Sequence, residues 1–118
     1  MSSVFNNKLK VYKSDITGEE KNYVVNNYLW VVLENEFGLS QSKFDDQLAK
    51  GESLTLAKFV TAVLIANGVD TTFEEVVKHT DSTQVTEFYD GFFKIAWPQA
   101  AKYLEEMRSD KVAGEAEK

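Results

Sequence analysis

The most continuous apolar stretch of the chain lies at its centre, in residues 54–66. Its only polar side chains are Thr55, Lys58 and Thr61, which at about 100° per residue share one narrow arc of a helix. A strand is the alternative, because Val and Ile are frequent here. Strands, however, usually end near about 8 residues, whereas this stretch continues to Asn67-Gly68. It is also shorter than the roughly 18 residues that cross a bilayer. The pattern therefore predicts the central helix of a small soluble bundle.

The segment before it carries signals for a long helix with two apolar faces. Residues 17–20, Thr-Gly-Glu-Glu, have the spacing of a capping box and predict a helix over residues 19–37 that ends at the next glycine. One face is aliphatic, whereas Tyr23, Trp30 and Phe37 recur every seven residues on another side. One apolar face is enough to join a bundle. The second is either covered by the N-terminal arm or the C-terminal helix, or it is a surface for self-assembly or a partner helix.

Three further helix starts are marked by residues whose side chains can cap a helix. A serine begins a short helix that ends at Ala49, and a serine or threonine begins the central helix. Two threonines, each three residues before a glutamate, begin a short helix to about His79. These capping residues are Ser40 or Ser42, Ser53 or Thr55, and Thr71 with Thr72.

The last long helix has the cleanest amphipathic pattern, although Pro98 interrupts it. The apolar positions keep the same phase on both sides of Pro98, which itself lies among polar positions. Asp81-Ser82-Thr83-Gln84 repeats the capping signal at its start. The pattern therefore predicts one helix from Thr83 to about Arg108 that is bent near the proline. A clean break with a new helix starting at Pro98 is the alternative. Residues 109–118 are charged or small, so we expect a loose tail.

Residues 1–16 are the least regular part of the chain. Residues 8–13 alternate polar and apolar side chains, which is the period of a strand, and Asn6-Asn7 can form a hairpin turn. A lone hairpin is marginally stable, so an extended arm is the alternative. The sequence thus predicts one mainly α domain over residues 1–108. We expect a bundle of about five helices around the apolar central helix, with a short N-terminal β-hairpin or arm.

Composition narrows the class of protein. The chain has 118 residues, of which 43% are hydrophobic and 13% aromatic, which suffices for one core. Cysteine is absent, so disulfides and thiolate metal sites are excluded, and this fits the cytoplasm, as does an N-terminus without an apolar signal segment. The net charge is −6 and Lys and Arg do not cluster, which argues against nucleic acid as a partner.

Candidate catalytic chemistry is sparse. His79 is the only histidine. It lies at a predicted helix C-terminus, where we expect it to interact with the helix dipole or to face solvent. Paired carboxylates occur in first helical turns or on polar faces, where nothing would raise their pKa for acid–base work. The glycines are isolated and form no phosphate-binding loop, and no EF-hand ligand spacing occurs. We therefore predict that the protein is not an enzyme and that it has no catalytic, cofactor-binding or metal site.

Five short motifs follow one another in a recognisable order. They are Glu-Phe-Gly at 36–38, Asn-Gly-Val-Asp at 67–70, Thr-Phe-Glu-Glu-Val-Val at 72–77, Thr-Asp at 80–81 and Ala-Trp-Pro at 96–98. Over roughly residues 19–98 this order, with the helices between the motifs, resembles the tail assembly chaperones of long-tailed bacteriophages. These are small proteins encoded between the tail tube and tape-measure genes. The resemblance is one of pattern.

The resemblance implies a non-enzymatic protein of the host cytoplasm that binds no cofactor, nucleic acid or membrane. Such chaperones self-associate, coat the helical tape-measure protein and help tail tube subunits to polymerise around it. Aromatic side chains give a large contact area at low entropic cost. We therefore predict that Tyr23, Trp30 and Phe37 form one contact surface and that Trp97 marks a second. The alternative is a small acidic helical interaction domain, a phage or bacterial regulator that acts as a monomer or dimer.

Overall fold

The computed structural model describes residues 8–52 and 54–116, with side chains as far as residue 107. Within these ranges two strands precede six helices, which confirms the predicted mainly helical bundle with an N-terminal hairpin. The strands are β1 (Val11–Ser14) and β2 (Lys21–Val24). The helices are α1 (Tyr28–Phe37), α2 (Gln41–Ala49), α3 (Thr55–Ala66), α4 (Phe73–His79), α5 (Ser82–Ala96) and α6 (Pro98–Ala116).

Helix α3 is the predicted central helix, and α1, α2, α4 and α5 all pack against it. Most of its side chains are buried, among them Phe59, Val60 and Val63. The buried Thr61 is satisfied within the helix, because its hydroxyl donates to the Ala57 carbonyl at 2.8 Å. The core therefore surrounds this helix, as its apolar circumference predicts.

The predicted helix ends are mostly confirmed. Gly38 ends α1 with a φ of 65°. The Ser40 hydroxyl accepts a hydrogen bond from a backbone N–H in the first turn of α2, and the Thr72 hydroxyl does the same for α4. Asp81 and Gln84 form a reciprocal capping box at the start of α5. Helix α3 begins at Thr55, one of the two residues predicted to start it, although the leucine before it has no capping side chain. Ser53, the other predicted cap, lies outside the described residues.

The predicted helix over residues 19–37 is wrong in its first half. The chain forms a hairpin instead, in which β1 and β2 pair antiparallel from Val11 opposite Val24 to Ser14 opposite Lys21. Gly18 adopts a φ of 94°, and its N–H donates to the backbone carbonyl of Asp15 at 2.8 Å. The residues of the predicted capping box therefore form the turn. The predicted turn at Asn6-Asn7 lies outside the described residues.

Tyr12 and Tyr23 lie opposite each other in this hairpin and fix it to α5. The Tyr12 ring lies edge-on to Phe88 and Phe92, with centroids 5.1 and 6.1 Å away, and Tyr23 lies 5.7 Å from Phe88. The Tyr12 ring also lies over Gly91, where a β-carbon would meet its Cε1 at 2.6 Å. The hairpin can therefore approach α5 this closely only because position 91 is glycine.

Asn67 ties the other strand to the end of α3. Its Oδ1 accepts the Val24 N–H at 2.8 Å, while its Nδ2 donates to the Val63 carbonyl at 3.0 Å. One side chain thus ends the central helix and satisfies a backbone donor of β2.

The predicted single bent helix through Pro98 is wrong, and the alternative, a clean break, is correct. Helix α5 ends at Ala96, and Trp97 adopts a φ of −132° and a ψ of 65° before α6 begins at Pro98. The pyrrolidine ring disfavours the α conformation in the preceding residue, which explains the break. The backbone of residues 109–116 continues α6, where composition predicts a loose tail. No helix in the described ranges is long and apolar enough to cross a membrane.

Candidate protein interface

Aromatic side chains of four elements form one connected cluster around Trp30. Its ring centroid lies 5.8 Å from Phe44 on α2, 6.4 Å from Phe59 on α3 and 6.1 Å from Trp97 at the break between α5 and α6. Trp97 lies in turn 5.4 Å from Phe93. These tilted and edge-on pairs are the arrangements that aromatic rings prefer. Two of the four predicted contact residues, Trp30 and Trp97, are therefore neighbours.

The other two predicted contact residues lie elsewhere. Tyr23 is on β2 and only 1% exposed, so it belongs to the core and cannot contribute to a surface. Phe37 is half-buried at the end of α1, where its ring lies 5.3 Å from Phe73. The seven-residue spacing of Tyr23, Trp30 and Phe37 defines one face only if a single helix carries all three. Because α1 begins at Tyr28, only Trp30 and Phe37 share this helix, and Tyr23 lies on β2.

The first of two surface grooves, the tryptophan groove, has a volume of about 340 Å³. It lies where the start of α1 meets the break at Trp97. Among the described residues that line it none is charged, and its polar side chains are amides and the two tryptophans. We define it by Leu9, Asn26, Trp30, Gln41, Ala96 and Trp97.

The second groove, the α2–α5–α6 groove, has a volume of about 260 Å³. Its apolar lining comes from Leu48 on α2, Tyr89 and Phe93 on α5, and Ala101 and Leu104 on α6. The Phe93 ring lies between the ring of Tyr89, at 5.7 Å, and the ring of Trp97, at 5.4 Å, and Trp97 lines the first groove. Phe93 therefore connects the two grooves. The charged residues that line the second groove are Asp90, Lys94 and Glu105.

Helix α6 presents large apolar side chains to solvent beside this groove. Tyr103 is 62% exposed, Leu104 44% and Met107 50%. Of the described α6 side chains only Ala101 is half-buried, and the others are exposed. Exposed apolar patches of this kind mark interaction sites. The sequence places these positions in the apolar sector of one long helix, so it misses that the break at Trp97 leaves them uncovered.

Acidic side chains outnumber basic ones around the second groove, since Asp90, Glu105 and Lys94 line it and Asp45 lies nearby. Burial, followed by the nearby charges of Asp45 and Asp90, raises the pKa of Tyr89 to about 12. The ion pairs among the described residues are all exposed, and none of them includes Asp45, Asp90 or Glu105. The acids around this groove are thus not neutralised by those pairs.

A cavity of about 530 Å³ lies between the hairpin turn and α4. Its charged lining mixes both signs, from Asp15, Lys21 and Glu75, and it includes the exposed His79. In the part of the chain that the structure describes, no three acidic or histidine side chains are grouped as a metal site. That the chain has no catalytic, cofactor or metal site stays a prediction.

Comparisons with family models, curated proteins and solved structures find no match to this chain. The features of this chain that bear on its function are the two grooves and the exposed side chains of α6.

Proposed function

We propose that the chain is a non-enzymatic tail assembly chaperone of a long-tailed bacteriophage. In this proposal it acts in the host cytoplasm, associates with further copies of itself and covers the tape-measure protein while tail tube subunits polymerise. The order of sequence motifs supports the proposal. The observation that carries it is the row of exposed apolar side chains on α6, beside two grooves with aromatic floors.

These surfaces suit the binding of other polypeptides. Fully burying a large apolar side chain contributes about 1.5–3 kcal/mol, so covering Tyr103, Leu104 and Met107, each about half exposed, contributes roughly 1 kcal/mol apiece. A single copy would bind weakly through so small an area. Many copies along one long helix would bind it strongly, because each bound copy raises the local concentration of the next.

Self-association fits the outer face of α6 best. Tyr103 and Met107 are four residues apart and therefore lie on one side of the helix. Lys102 and Glu106 have the same spacing, so two α6 helices can meet antiparallel with opposite charges facing each other. This matters because a chain of net charge −6 repels its copies elsewhere on the surface.

The proposal is tested by co-expression with a long helical tape-measure protein, the partner that the proposal requires. We expect the wild type to keep that protein soluble and to copurify with it. The variant Tyr103→Ser/Met107→Ser should lose most of this effect, whereas Gln99→Ser, another exposed change on α6, should keep it. Equal solubility of the long protein with and without the wild type would contradict the proposal.

A small acidic interaction domain is the second candidate, and the acids around the α2–α5–α6 groove favour it. Such a regulator would bind one partner as a monomer or dimer. It would leave the solubility of the long helical protein unchanged, so the same experiment separates the two functions.

A further inference from the structure

The α2–α5–α6 groove combines an apolar floor with acidic edges, and this combination selects its partner. We propose that it binds the apolar face of an α-helix that carries Lys or Arg beside that face. This inference rests on the proposed function, since both take a helical protein as the partner, and it adds the chemistry of the bound segment.

The size of the groove suits side chains of a protein. Its volume of about 260 Å³ is below the roughly 300–1,000 Å³ of small-molecule sites. Leu48, Tyr89, Phe93 and Leu104 form its floor and walls. A groove of this form accepts one or two large apolar side chains that project from a neighbouring chain.

The backbone around the groove favours a helix over an extended peptide. Every described residue that lines it belongs to α2, α5 or α6, whose backbone groups bond within their own helices. An extended peptide gains affinity by pairing its backbone with a strand edge. A helix brings its own backbone bonds and needs only the apolar contact, so it loses no hydrogen bonds on docking.

The charges around the groove favour a basic partner. Asp90 on α5 and Glu105 on α6 contribute acids from two sides, and Asp45 on α2 lies close enough to act on Tyr89. Lys94 is the base among the lining residues. A second copy of this chain would bring further negative charge, whereas Lys or Arg beside an apolar face would face opposite charges.

The burial of Tyr89 is consistent with this arrangement. Its ring packs 5.0 Å from Phe59, so the floor of the groove is continuous with the core. The carboxylates of Asp45 and Asp90 add to burial in raising the pKa of the Tyr89 hydroxyl. Their field therefore reaches the position where a bound side chain would lie.

The test uses two synthetic amphipathic peptides with the same leucine face. One carries Lys at every polar position and the other carries Glu. Binding to the full chain is measured by fluorescence anisotropy at ionic strengths of about 0.01 and 0.15 M. We expect the basic peptide to bind at least about tenfold more tightly. Its affinity should fall at the higher ionic strength, where the charges are screened.

Two pairs of neutralised acids locate the site. Asp90→Asn/Glu105→Gln should weaken binding of the basic peptide by about tenfold. Glu34→Gln/Glu36→Gln changes the net charge equally on the exposed side of α1 and should leave the affinity unchanged. Equal loss in both variants would mean non-specific attraction to an acidic protein and would overturn the inference.

A further variant separates this inference from the proposed function. Leu104→Asn should weaken binding of the basic peptide, because it removes apolar surface from the groove. If both peptides bind the wild type equally, the charge argument fails while helix binding and the chaperone function stand. If neither binds and Leu104→Asn instead dissociates an oligomer, the occupant is a second copy and the inference is wrong.

Discussion

Leu54 shows how one residue can store strain beside the central helix. Among the described residues other than glycine it alone has a positive φ, 66°, and its side chain is 52% exposed. A left-handed conformation costs an L-residue about 1–2 kcal/mol because its β-carbon crowds the following carbonyl. About half of the side chain is covered in return, which contributes roughly 1 kcal/mol. The backbone strain therefore offsets most of what this burial contributes.

We predict that Leu54→Gly is more stable than Leu54→Ala by about 0.5–1 kcal/mol, since most of the leucine side chain is removed in both. Glycine removes the strain, and its greater freedom in the unfolded chain cancels part of the gain. The measurement is the free energy of unfolding in urea. Leu54→Ala is the control, because it keeps the β-carbon and loses only apolar surface. Equal stability of the two variants would show that backbone strain is not the cause.

The contact between Tyr12 and Gly91 joins the hairpin to α5. Replacing a helical glycine by alanine normally stabilises a helix by about 0.5–1 kcal/mol. Here the added β-carbon would lie 2.6 Å from Cε1 of a ring that Phe88 and Phe92 also contact. We predict that Gly91→Ala instead destabilises the fold by about 1–3 kcal/mol.

A double-mutant cycle isolates this contact. In a Tyr12→Ala background the obstructing ring is gone, so the same Gly91→Ala change should become neutral or stabilising. The free energies of unfolding of the four proteins give the coupling directly. Additive effects of the two substitutions would mean that the hairpin does not pack on Gly91 as described.

Elements set by local signals could be predicted, and elements set by distant contacts could not. Asp81 and Gln84 cap α5 with residues next to it in sequence, so the start of that helix can be predicted to within a residue. Lys21–Val24 is a strand because it pairs with β1 and places Tyr23 in the core, whereas the spacing of residues 17–20 indicates a helix start. At Pro98 the unchanged phase of the apolar positions predicts one continuous helix. The structure instead follows the steric restriction that proline places on the residue before it, and the helix breaks there.

At the scale of the whole molecule, the candidate site depends on the fold more than on its residues. Trp30 and Trp97 were predicted separately as contact residues, and only the fold shows that their rings meet. The α2–α5–α6 groove could not be predicted, because it exists only if the helix breaks at Trp97 and exposes Leu104. A sequence pattern identifies apolar positions, whereas the path of the chain decides which of them remain uncovered.

We propose that exposed apolar side chains of α6 hold copies of this chain together. The mass of the purified protein, measured by light scattering over a range of concentrations, tests this most directly. We predict that the mass rises with concentration above the 13.4 kDa of one chain. Tyr103→Ser/Met107→Ser should remain at the mass of one chain with an unchanged melting temperature. A wild type that stays monomeric throughout, or a variant that assembles as the wild type does, would contradict the claim.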